Sequence, residues 1–176
     1  MKKTEVKKLV VAAMFVALAV SLSTFSFPIG ASKCFPIQHM VNVLCAVFLG
    51  PWYGVLVAFC TSLIRNLLGT GTLLAFPGSM VGALCCGLIF KATKKLIPTY
   101  VAEIVGTGII GGMVAFPVAS LVMGREAALF TYVVPFLVST AGGTVIAACL
   151  IGALYKSHAI DALTSLLNSE KKEQMP

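Results

Sequence analysis

The chain has 176 residues, of which 59% are hydrophobic and only 11% charged. Soluble domains average about 45–50% apolar and about 25% charged residues, so a soluble enzyme or binding domain is excluded and the chain reads as an integral membrane protein. The net charge of +7 does not point to nucleic acid, because the basic residues sit at the ends of apolar runs and form no basic face interleaved with aromatics. A spanning helix needs about 20 apolar residues, so the length allows about six or seven spans and leaves no separate soluble domain.

Residues 1–8 form a basic leader with Lys2, Lys3, Lys7 and Lys8. Span 1 is predicted from Leu9 to about Phe27. Its apolar core exceeds the ~7–15 residues of a secretory signal, and no small-x-small site ends it, so it is expected to stay in place. Ala13, Ala17 and Ser21 recur every fourth residue and lay a stripe of small side chains along one helix face. In lipid such a stripe lets another helix approach closely. The segment 28–36 is predicted as a loop carrying Lys33. Span 2 is short, about Ile37 to Leu49, with Gln38, His39 and Asn42 at its first turns.

Gly50-Pro51 marks a tight turn, and Trp52 and Tyr53 read as interfacial anchors. Span 3 follows to about Leu68. Arg65 lies 13 residues beyond Trp52, about 20 Å along the helix. The stretch from Arg65 to Ser79 then interrupts the apolar sequence with Asn66, Gly69, Thr70, Gly71 and Thr72. Span 4 is predicted from about Pro77 to Phe90 and holds Gly78-x-x-x-Gly82. Lys91, Lys94 and Lys95 follow, and Pro98 marks a break. Span 5 covers about Tyr100 to Met123, with Glu103, a glycine cluster and a kink expected at Pro117. Span 6 covers about Ala128 to Tyr155, with breaks at Pro135 and Gly142-Gly143. Beyond it, Ile160, Leu163, Leu166 and Leu167 suit a short interfacial helix.

Ten Lys and Arg residues fall at the N-terminus, the 4–5 loop and the C-terminal tail, against three (Lys33, Arg65 and Arg125) on the other side. The positive-inside rule then puts both termini in the cytoplasm. On this topology Gln38, His39, Asn42, Arg65, Asn66, Thr70, Thr72 and Tyr132 converge on the outer leaflet. Polar groups in spans are costly and mark a site by default. The set offers donors, acceptors and one fixed positive charge but no carboxylate, which suits a small polar or aromatic molecule better than a cation.

Three tasks stay open for Arg65: bonding a ligand, holding the Gly69–Thr72 backbone, or snorkelling to headgroups. His39 serves as a cap or as a contact, and Tyr132 as a belt residue or as part of the site. Glu103 is expected near the inner end of span 5, paired with Lys94 or Lys95. The six Cys lie mostly in apolar runs, where Cys acts as a small hydrophobe, and no metal site is expected.

No H-E-x-x-H, serine elbow or P-loop is present. The chain therefore reads as a non-enzyme with no catalytic residues and no cofactor of its own.

Several segments carry a family resemblance: Phe35-Pro-Ile-Gln-His-Met-Val-Asn42, Leu49-Gly-Pro-Trp-Tyr53, the whole of Arg65–Ser79, Glu103-Ile-Val-Gly-Thr-Gly-Ile-Ile-Gly111 and Ala127-Ala-Leu-Phe130. Over roughly residues 8–155 the chain resembles the substrate-binding S components of energy-coupling factor (ECF) transporters. More narrowly it resembles the ThiW family, with Ala13 and Ala17 matching that group's Ala-x-x-x-Ala docking pattern.

The resemblance implies an all-α bundle of six transmembrane helices, with 9–155 as the membrane domain and 156–176 as a cytoplasmic tail. It implies a thiazole precursor of thiamine, hydroxyethylthiazole, as substrate. It implies as partners a transmembrane coupling protein and two ABC-type ATPase subunits, which use the ATP. The expected location is the lipid of a prokaryotic cytoplasmic membrane. A small secondary carrier without an ECF module is the alternative.

Overall fold

The computed structural model describes residues 3–30, 32–157, 160 and 165. The expected tail helix through Leu163, Leu166 and Leu167 lies outside the described residues. Up to residue 157 the described residues form six long helices: α1 (Lys3–Ser21), α2 (Pro36–Phe48), α3 (Pro51–Leu67), α4 (Ala75–Thr93), α5 (Leu96–Val122) and α6 (Val133–Lys156). Four apolar stretches are long enough to cross a membrane: Thr4–Thr24, Ala75–Thr93, Leu96–Val122 and Val133–Lys156.

The predicted loop at 28–36 instead holds a small antiparallel hairpin, β1 (Phe27–Ile29) and β2 (Ser32–Cys34), in the register Phe27↔Cys34 and Ile29↔Ser32. It is pinned to α6 by two bonds. The Cys34 thiol donates to the Pro135 carbonyl at 3.2 Å, and the Phe35 amide donates to Ser139 Oγ at 2.8 Å.

Helix α2 is the centre of the bundle. It has 13 residues, and every one from Gln38 to Ala46 is buried. At 1.5 Å per residue it is about 20 Å long, short of the ~30 Å hydrocarbon layer. Its polar first turns therefore lie against the middle of longer neighbours. Val41, Val43, Leu44 and Cys45 join Val57, Ala147 and Ile151 in the main apolar cluster.

Three predicted breaks are not breaks. Pro98 and Pro135 each sit in the first turn of their helix, where a missing N–H costs nothing. Gly142-Gly143 does not interrupt α6, because Gly143 is where the α2 backbone presses in: a Cβ there would collide with the Pro36 carbonyl. Around Pro117, α5 widens into π-type turns at Val118–Val122, and a longer one covers Ile104–Gly111. Pro117 cannot donate to the regular ladder, and the glycine-rich run relaxes it further.

The Gly78-x-x-x-Gly82 motif meets the α5 glycines directly. A Cβ on Gly111 would lie 2.7 Å from Gly78 Cα, and one on Gly106 would lie 3.2 Å from Gly82 Cα. Absent side chains let the two backbones touch, as small residues do between helices in lipid. A Cβ on Gly82 would also strike the Thr107 hydroxyl and come 2.9 Å from Glu103 Oε2. Gly82→Val is therefore expected to cost about 1–3 kcal/mol by overpacking. Thermal unfolding of the detergent-purified protein reads this, and an unchanged midpoint contradicts the packing described.

On α1 the small stripe faces outward. Ala13, Ala17 and Ser21 are exposed, while Ala12 and Ala19 are the buried positions.

Candidate substrate site

The Arg65 end of α3 carries the largest fully buried side chain of the described residues, at 1% exposure. The helix stops just beyond it. Gly69, at φ 71°, turns the chain, and the amides of Thr70 and Gly71 both return to the Arg65 carbonyl at 2.9 Å. Asn66 reinforces the turn by donating to the Ser62 and Thr72 carbonyls at 2.8 and 3.1 Å. The Arg65 guanidinium carbon lies over the Phe35 ring, 3.7 Å from its centroid, a cation–π contact. Its Nη1 donates to Gln38 Oε1. Its Nε and Nη2 have no protein partner.

From Gln38 a chain of polar contacts runs inward. Gln38 Nε2 donates to Ser62 Oγ at 3.1 Å, and the Ser62 and Ser79 hydroxyls lie 3.2 Å apart. Asn42 Nδ2 donates to the Ser79 carbonyl at 3.1 Å and to Glu103 Oε1 at 3.0 Å. The same oxygen receives Thr107 Oγ1 at 2.9 Å and faces His39 Nδ1 at 3.1 Å. Glu103 is fully buried, and its carboxylate faces the His39 ring. Carboxylates commonly fix an imidazole tautomer; the one with Nδ1–H directed at Glu103 presents the other ring nitrogen of His39 as an acceptor.

Arg65, Gln38 and His39 border one cavity of about 30 Å³, lined also by Phe35, Phe136 and Ser139. That is room for a water or two, so a substituted ring enters only if the lining shifts. The site thus combines a cationic donor fork, a neutral acceptor and an aromatic face.

Two comparisons place this arrangement. Residues 9–157 match the family described as thiamine-precursor transporter protein (ThiW). The chain belongs to the ThiW family. No curated protein sequence matches it. In fold it is similar to the crystal structure of the S-component for biotin from an ECF-type ABC transporter, with a TM-score of 0.62 at 18% identity, over 90% of this chain and 94% of that one. A helical fold in a transporter family accounts for the apolar composition.

In this ThiW-family chain the expected site residues divide. Gln38, His39, Arg65 and Thr72 border the cavity. Asn42 stands one layer behind, bonded to Glu103 and Ser79. Asn66 and Thr70 hold the loop; the Thr70 hydroxyl bonds the Arg65 carbonyl at 3.3 Å. Tyr132 is 2% exposed, and its ring lies against Phe136 at a 48° tilt with centroids 6.4 Å apart. It is therefore not a belt residue.

Arg65 is not snorkelling, because its side chain is buried. Its backbone carbonyl, not its side chain, holds the loop. Glu103 does not pair with Lys94 or Lys95, because α5 begins at Leu96 and carries it two turns inward to His39. Phe35, Ser79 and Ser139 were not singled out from the sequence. Ser79 and the Ser139-Thr140 pair, hydroxyls within apolar runs, carried the signal.

Proposed function

We propose that this chain is the substrate-binding S component of an ECF-type uptake transporter for hydroxyethylthiazole. The observation that carries the substrate reading is the pairing of unpartnered Arg65 donors with the His39 acceptor at one small cavity. A hydroxyl both accepts and donates one hydrogen bond, so the hydroxyethyl arm matches Arg65 and His39 together. Phe35 and Phe136 offer apolar faces to the ring.

The chain has no ATP-binding motif, so transport requires a transmembrane coupling protein and two ABC-type ATPase subunits. Ala13 and Ala17, exposed on α1, form the docking stripe for the coupling protein. The protein resides in a prokaryotic cytoplasmic membrane, as one membrane domain over 9–155 with both ends inside.

Copurification tests the partner assignment. The tagged chain is expected to bring down two ATPases and a coupling protein. Uptake by the chain alone, with no ATPase present, identifies a secondary carrier instead. For orientation, a cytoplasm-only reporter fused after Pro176 is expected to be active. Activity solely from a reporter that works outside the cell reverses the topology.

A further inference from the structure

We infer that the cavity beside Arg65 takes thiazoles bearing an oxyanion, a carboxylate or a phosphate ester, in preference to the neutral alcohol. This rests on the thiazole reading above and narrows the class of substrate.

Arg65 is 1% exposed, yet Nε and Nη2, two adjacent donors of the guanidinium fork, lack protein partners. No carboxylate of the described residues lies within ion-pair distance of it; Glu103 pairs with His39 instead. A buried cation without a counter-charge is strongly unfavourable. A group with two geminal oxygens would accept from both free donors at once, the bidentate geometry for which Arg is suited.

The rest of the lining agrees. Lys33 adds a second positive charge, and Gln38, Thr72 and Ser139 add neutral polar groups, while no Asp or Glu of the described residues borders the cavity. Glu103 is the nearest opposing charge in the polar chain. It sits behind His39, with Oε1 engaged by Asn42 and Thr107 as well. The Phe35 ring centroid lies 3.7 Å from the guanidinium carbon, and Nη1 is taken by Gln38, which leaves the Nε–Nη2 edge of the fork.

The test is a set of equilibrium titrations of the full chain in lipid nanodiscs. The probes are hydroxyethylthiazole, its phosphate monoester, the carboxylate analogue of the same thiazole, and inorganic phosphate alone. At least one acidic thiazole is expected to bind about tenfold tighter than the alcohol or better, the scale of a charge-assisted over a neutral hydrogen bond. Which of the two wins identifies the oxyanion. In Arg65→Gln that advantage is expected to fall to within about twofold, with Arg65→Lys in between. The wild-type comparison decides even where a variant folds poorly. Equal or weaker binding of both acidic forms, with the alcohol still bound, overturns the inference and leaves the alcohol as substrate. Tight binding of inorganic phosphate with no preference for the thiazole also overturns it. Failure of every thiazole to bind overturns both this inference and the thiazole reading beneath it.

Discussion

Tryptophan at Ala13 or Ala17 is expected to abolish thiazole uptake while leaving ligand binding by the isolated chain unchanged. Both alanines lie on the exposed face of α1, one helical turn apart. Close approach of a partner helix depends on small side chains there, because apolar bulk gains nothing by leaving lipid. An indole on that face holds the partner away without entering the core. Ala12→Trp provides the contrast. Ala12 is 3% exposed and belongs to the main apolar cluster, so a large ring there should lower the amount of folded protein. Uptake in cells carrying the full transporter, set beside binding by the purified chain, separates the two effects. Normal uptake in both the Ala13→Trp and Ala17→Trp variants removes the stripe from the docking surface.

The second large effect is expected at Arg65. Arg65→Ala should weaken thiazole binding by about 1.5–3 kcal/mol, the range for a hydrogen bond to a charged group. That corresponds to roughly 10- to 150-fold in affinity. It also leaves Gln38 Oε1 without its donor. Arg65→Lys should restore only part, since an ammonium keeps the charge but not the fork that spans Gln38 and the cavity. His39→Ala should cost less, about 0.5–1.5 kcal/mol for one neutral hydrogen bond. Titration of the four forms in one detergent reads these differences. Unchanged affinity in well-folded Arg65→Ala removes Arg65 from the site.

Much of this was legible in the sequence because lipid forbids casual polarity. Isolated polar groups in long apolar runs, Gln38, His39, Asn42 and Arg65, had to meet one another, and they do. Membrane character followed from composition and apolar run length, and the helix boundaries from turn residues between the runs. What periodicity does not reveal is which helix faces which.

Glu103 shows the limit. Its position along α5 suggested the lysines next to it in sequence. Its partner His39 lies 64 residues away, brought close by a short α2 and by the room Gly82 leaves for the carboxylate. Asn66 and Thr70 were grouped with the site because they are polar and adjacent to Arg65. Their side chains instead bond the backbone of the turn, as Asn and Thr often do where a helix ends. The hairpin escaped notice because three-residue strands carry almost no alternation to read.

The most direct test of the central claim is one equilibrium titration of the purified chain with hydroxyethylthiazole, thiamine and the hydroxymethylpyrimidine half of thiamine. Saturable one-site binding of the thiazole, and none of the pyrimidine, is the expected result. Binding of the pyrimidine in preference to the thiazole, or of neither, contradicts a thiazole site at Arg65 and His39.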